Sequence, residues 1–203
     1  MGQITLNSDI GRYIYRTCLT NNSIKMVVDV GTWDGRGSTE CAIRGLVGSG
    51  RSGVSLLSFE TNKKFYDQAI QNWKKEGLPE WAKLIHGRLI DETELDRENL
   101  TGSEPDWISE DLNWYSSSPK VAHMLPEQID MAILDGGEFS TKSEFLLLAP
   151  QTKMFILDDT ATRKCRWIRD HVISSPKDYT ILFDNPLERN GTMAFVRKTS
   201  GVA

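Results

Sequence analysis

The chain has 203 residues, of which 39% are hydrophobic and 26% charged, and a formal net charge of −4. At this length one domain buries roughly 70% of its unfolded surface and needs no staples. The mild acidity disfavours nucleic acid and anionic membranes as partners, the three isolated cysteines disfavour a disulfide framework or structural zinc, and no apolar run approaches the roughly 18 residues of a membrane span.

Ile10, Tyr13, Ile14 and Cys18 recur at helical spacing and predict a helix over 8–20, within an N-terminal segment 1–24. The start Met-Gly-Gln-Ile-Thr-Leu lacks the charged and apolar regions of a signal peptide, so the cytoplasm is the expected location. Residues 25–30 form the first predicted strand. Then come the glycine-rich turn Gly31-Thr32-Trp33-Asp34-Gly35-Arg36-Gly37-Ser38 and a helix over 37–47. Val54 to Phe59 reads as a second strand ending at Glu60, and Phe65, Ala69, Ile70 and Trp73 mark a helix over 62–76. Ala82 to His86 is the third strand.

The stretch 88–128 is irregular and acidic, with Glu98, Glu104 and Asp111 among its acids and Trp107, Trp114 and Tyr115 interleaved. It reads either as a solvated acidic helix and loop or as a lid whose aromatics close over the cofactor or substrate. Strands over 129–134 and 154–157, helices over 141–149 and 162–174, and strands 179–184 and 192–197 complete the chain. Alternating strands and helices imply one doubly wound α/β domain over 1–203. Its sheet is mostly parallel and seven-stranded, with a C-terminal antiparallel hairpin and helices on both faces.

In such a sheet, ligands bind at the carboxyl ends of the strands. Those ends carry Asp29 and the glycine turn, Glu60, Gly87, Asp135, and the pair Asp158-Asp159. An acid after the second strand can accept hydrogen bonds from both hydroxyls of an adenosine ribose. The glycine turn is not GxGxxG. Asp29 and Asp34 within it would repel a pyrophosphate but suit a cationic cofactor such as S-adenosylmethionine.

At these residues the chain resembles the class I S-adenosylmethionine-dependent methyltransferases, closest to the metal-dependent small-molecule O-methyltransferases of the catechol and macrocin type and the cephalosporin-hydroxylase-like group. The resemblance covers residues 25 to 198. It is carried by Asp29, Gly31, Trp33 and Gly35 in the first motif, by Glu60, and by the terminal hairpin. It implies that Asp29 holds the methionine amine, directly or through water, that Trp33 and Gly35 line the methionine part with Gly37 or Ser38 near its carboxylate, that Thr32 also contacts the cofactor, and that Thr61, Gly87 and Arg88 lie near the ribose and adenine.

It also implies that Asp135, Asp158 and Asp159 bind a divalent metal, with Mg²⁺ best suited to an all-oxygen set. The metal would orient and activate a hydroxyl of a small-molecule acceptor, with Asp135 also touching the cofactor. The family's catalytic lysine, three residues after the fourth-strand acid, is replaced by Glu138. Glu138 is therefore a candidate base, ligand or helix cap. Lys142 and Lys164 follow the acidic strand ends and are expected on the surface, while Arg189 is placed at the border of the substrate mouth. A nicotinamide-dependent oxidoreductase and a cofactor-binding scaffold without turnover are the alternatives. The oligomeric state, with a homodimer as one option, is left open.

Overall fold

The computed structural model describes residues 4–97 and 106–198, with the Trp107 side chain outside the description. Glu98 and Glu104 of the acidic connection therefore lie outside the described residues.

Seven strands form one sheet: β1 (Met26–Val30), β2 (Ser55–Glu60), β3 (Ala82–His86), β4 (Ile129–Leu134), β5 (Thr152–Asp158), β6 (Tyr179–Asn185) and β7 (Thr192–Arg197). Their order is β3-β2-β1-β4-β5-β7-β6. The first five are parallel, and β7 runs antiparallel to both β5 and β6. The sheet reverses its winding between β1 and β4, which pair directly. Such a reversal opens a crevice at the carboxyl ends of the strands.

Alternation along the central strands divides the core. Val27, Leu56, Met131, Ile133 and Ile156 face one side. There they meet α1 (Asp9–Thr20), α2 (Ser38–Gly48) and α3 (Lys63–Glu76) through Ile14, Leu46 and Trp73. Val28, Ala132, Leu134, Phe155 and Leu157 face the other side, against Phe145 and Leu148 of α5 (Thr141–Leu148) and Ile168 and Val172 of α6 (Arg163–Ser174). These strands are apolar on both faces because helices cover both, so they read as continuous runs. Every strand and helix expected from periodicity is present, within a residue or two at the ends.

The 88–128 connection carries the helix of the first reading and adds a packed face to it. It holds α4 (Asp106–Ser117), which has a small core of its own. Ile90, Leu95, Tyr115 and Phe139 are buried together, and Ile108 and Leu112 pack against them. Arg88 donates through Nη1 to the carbonyls of Tyr115, Ser116 and Ser118, so its charge closes the C-terminus of α4.

Candidate active site

A cavity of ≈ 440 Å³ opens at the carboxyl ends of β1, β2 and β4, within the ~300–1,000 Å³ range of small-molecule sites. Its wall includes Gly31, Thr32, Trp33, Ser38, Glu60, Thr61, Gly87 and Asp135, as expected from the sequence. It also carries Phe65, Asp111, Glu144, Asp159, Lys164 and Arg189.

The glycine turn is built for close approach. Gly31 has φ +102°, and a Cβ there would lie 2.2 Å from the Asp135 carbonyl oxygen. Its amide and that of Thr32 both donate to the Phe59 carbonyl, which pins the turn to β2. Asp34 accepts from the Arg36 amide and so shapes the turn locally.

Asp29 is fully buried behind the cavity wall. Its oxygens accept from the hydroxyls of Ser38, Thr39 and Ser58. Burial pushes its carboxyl up to about 6, against the lowering effect of those three hydroxyls. Asp29 thus fastens β1, β2 and α2 and is not itself on the cavity wall; of the two expected ways of holding a methionine amine, directly or through water, its burial disfavours the direct one. Gly35 also lies behind the wall. Its carbonyl accepts from Trp73 Nε1 at 3.0 Å, and a Cβ would lie 2.8 Å from that nitrogen. Arg88 is turned away to α4, as described above.

Glu60 stands on the cavity wall at the end of β2. Its Oε2 accepts from the Trp33 amide at 2.7 Å and its Oε1 from the Asn62 amide at 2.8 Å. These two bonds fix the carboxylate at the mouth, with lone pairs left for further donors. Burial, outweighing those amides, pushes its pKa up to about 7.

The acids after β4 and β5 converge as expected. One oxygen from each of Asp135, Asp158 and Asp159 lies within 4.8 Å of the others. Two cations share the space with them. Lys164 Nζ lies 2.7 Å from Asp135 Oδ1 and 2.7 Å from Asp159 Oδ2, with only 6% of its side chain exposed. Arg189 grips Asp158 with both Nη2, at 2.7 Å, and Nε, at 3.2 Å. The expectation of a surface Lys164 is overturned. Burial works against its charge, but Asp135 and the neighbouring acids outweigh it and hold the pKa above the usual lysine value. Asp159 itself has φ +57°, and Asn190 Nδ2 donates to its Oδ1 at 3.0 Å. The β6–β7 loop therefore locks the β5–α6 turn.

Glu138 does not line this cavity. It borders a neighbouring hollow with Trp114 and Asn62. The α6 cap is Thr162, whose side chain accepts from the Lys164 amide. Burial raises the Glu138 pKa, with Lys164 opposing the rise. Of the connection's aromatics, the two described side chains, Trp114 and Tyr115, do not line the main cavity. Tyr115 is buried in its own cluster, Trp114 borders the outer hollow, and α4 presents Asp111 instead. Ser140 occupies the N-cap of α5 without a side-chain cap bond.

Three wall residues have a periodic signal in the sequence. Lys164 shares a four-residue stripe with the buried Ile168 and Val172, and Glu144 shares one with the buried Leu148. Asp111 lies one helical turn before Tyr115, on the same side of α4.

No family model and no curated protein matches the sequence. The fold does match solved structures. An O-methyltransferase from Bacillus cereus in complex with S-adenosylhomocysteine is 15% identical, with a TM-score of 0.60 over 93% of this chain and 80% of that one. The S-adenosylhomocysteine-bound methyltransferase PaMTH1 of Podospora anserina is 13% identical, with a TM-score of 0.62 over 93% of this chain and 78% of that one. TomG of Streptomyces achromogenes, an O-methyltransferase of tomaymycin synthesis in complex with S-adenosylmethionine, is 13% identical, with a TM-score of 0.60 over 93% and 79%. The chain has the Rossmann-like fold of the class I S-adenosylmethionine-dependent methyltransferases. The solved structures of this fold that it resembles include O-methyltransferases.

Proposed function

We propose that the protein is an S-adenosylmethionine-dependent methyltransferase that transfers a methyl group to a hydroxyl of a small molecule. The observation that carries this reading is one cavity holding both halves of the chemistry. The Gly31 turn and Glu60 lie on one side, and Asp135 and Lys164 lie on the other. Five acidic and two cationic side chains line it, and with Glu144 protonated the acids still outnumber the cations, which favours a ligand carrying ammonium and sulfonium charge over a pyrophosphate. This counts against the nicotinamide alternative. It also relocates the cause, since Asp29 is sealed and Asp34 is spent on a turn.

In this reading Glu60 accepts the ribose hydroxyls, Ser38 and the start of α2 face the methionine carboxylate, and Asp111 faces the adenine end. Asp135, at the end of β4, orients the acceptor hydroxyl. As the acceptor oxygen forms its bond to the methyl carbon, the carbon–sulfur bond breaks and the electron pair stays on sulfur. The hydroxyl proton passes to the Asp135 carboxylate. The protein's contribution is mainly alignment of oxygen, carbon and sulfur.

A divalent metal between Asp135, Asp158 and Asp159 was the expected activator of the hydroxyl. The residues present do not fit it. Mg²⁺ needs oxygen ligands at about 2.0–2.1 Å in near-octahedral array, and here an ammonium is already seated against two of the three carboxylates while a guanidinium takes both oxygens of the third.

Calorimetry with S-adenosylhomocysteine and with NADH tests the reading. Saturable binding of S-adenosylhomocysteine alone is the expected result, and binding of NADH alone would overturn it. Methyl transfer from labelled S-adenosylmethionine to a panel of hydroxylated small molecules then separates an enzyme from a scaffold without turnover.

A further inference from the structure

We propose that Lys164 is the resident cation of this centre, so that the protein binds no divalent metal there and the acceptor oxygen meets an ammonium instead. The placement is enforced from both ends. The backbone of Lys164 lies in the first turn of α6, where Thr162 caps the helix and accepts the Lys164 amide at 3.3 Å. Cys165 and Ile168 of the same helix are buried in the core against the sheet. The side chain then runs inward to the gap between β4 and β5, and its nitrogen closes that gap at 2.7 Å to each side.

Electrostatics favours this arrangement over a metal. With Lys164 and Arg189 present, three carboxylates face two cations, so the centre keeps one formal negative charge. A divalent ion entering it would have to displace the ammonium, whose helix is held against the sheet by the buried Cys165, Ile168 and Val172. Leaving the lysine in place would put like charges within a few ångströms of each other, which Coulomb repulsion opposes. Arg189 is held as firmly. Its backbone has φ +54°, and the loop behind it is tied by backbone bonds from Thr160 to Gly191 and from Ala161 to Asn190.

An ammonium has three N–H groups, and two are given to Asp135 and Asp159. The third is offered to the cavity, whose wall Lys164 helps to form. It is a donor for an acceptor oxygen and would stabilise negative charge developing there as the proton leaves. The residual negative charge of the centre selects a neutral hydroxyl over a carboxylate or phosphate acceptor. This last step rests on the methyltransferase reading, whereas the occupancy of the centre by Lys164 does not.

The test is a titration of chelator-treated protein with Mn²⁺, followed by electron paramagnetic resonance of the free ion and by calorimetry. The full chain is used, with and without S-adenosylhomocysteine. The wild-type protein is expected to show no saturable Mn²⁺ site, and its affinity for S-adenosylhomocysteine is expected to be the same with and without chelator. In Lys164→Met the ammonium is gone, Asp135 and Asp159 are left uncompensated, and Mn²⁺ binding is expected to tighten by about tenfold or more. Saturable Mn²⁺ binding by the wild type that Asp135→Asn abolishes would overturn the proposal. So would equal Mn²⁺ affinity in wild type and Lys164→Met. The wild-type titration needs no variant to fold. Failure of the cofactor reading is visible separately, as absence of S-adenosylhomocysteine binding in the same samples.

Discussion

Lys164 Nζ stands 2.7 Å from Asp135 Oδ1, joining the first turn of α6 to the end of β4 across 29 positions of sequence. This pair sits where the second half of the cavity wall is made, so it bears on stability as well as chemistry. Removing one partner of a buried pair leaves an uncompensated charge, at a typical cost of about 3–5 kcal/mol. Lys164→Met is expected to lose stability on that order. Urea denaturation monitored by circular dichroism measures it, and adding Asp135→Asn to the same chain should recover part of the loss.

Glu60 is held by two backbone amides at the cavity mouth, so its loss should act on ligand more than on fold. Hydrogen bonds to a charged group contribute about 1.5–3 kcal/mol each. Glu60→Ala is therefore expected to weaken S-adenosylhomocysteine binding by about tenfold or more in calorimetry. An unchanged dissociation constant would remove the ribose assignment.

Glu144 is buried in α5, and its Oε2 has no hydrogen-bond partner among the described residues. Burial pushes its pKa up from 4.5 to about 8, with Asp111 and Glu60 adding to the rise. The folded state thus holds a proton that the unfolded chain releases near pH 4.5. Stability is lost as pH climbs from there, and the loss is complete above about 8. Glu144→Gln removes the penalty. Its melting temperature is expected to exceed that of the wild type at pH 8.5, with the gain vanishing below pH 4.5, on a scale of a few kcal/mol at most.

Gly31 has no room for a side chain: its φ is positive and the Asp135 carbonyl closes over it. Gly31→Ala combines backbone strain with a collision against main chain, and such effects cost on the order of 2–4 kcal/mol or more. Reduced soluble yield and a lowered melting temperature are expected. Alanine at Gly50, which also has positive φ but has open space around its Cβ, should cost only about 1 kcal/mol.

Arg88 separates a cofactor role from a structural one. Its guanidinium holds the end of α4. Arg88→Ala is expected to speed amide hydrogen exchange across 112–118 while leaving the affinity for S-adenosylhomocysteine within about twofold. A large loss of affinity with unchanged exchange would restore the adenine role.

The elements and their order were legible in the chain because periodicity is local. Val27 to Val30 and Ile129 to Leu134 are apolar without interruption, as strands covered on both faces must be, and the helices between them show their 3.6-residue stripes. From alternation alone followed a doubly wound sheet, and from the winding rule followed a site at the strand ends. Gly31, Glu60 and Asp135 were therefore found without coordinates. Asp29 and Asp34 were read as open charges because a sequence does not show which hydroxyls or amides a carboxylate faces. Ser38, Thr39 and Ser58 seal Asp29 from two other elements.

What the sequence by itself determined is the fold and the edge of the sheet where chemistry gathers, since both follow from residue spacing along the backbone. What only the tertiary structure decided is the charge state of that edge. Lys164 and Arg189 reach the same three acids from a helix and a hairpin loop that meet only in space. Coulombic pairing depends on distances of a few ångströms between side chains far apart in sequence. No local pattern encodes them, and here they set two cations against three acids.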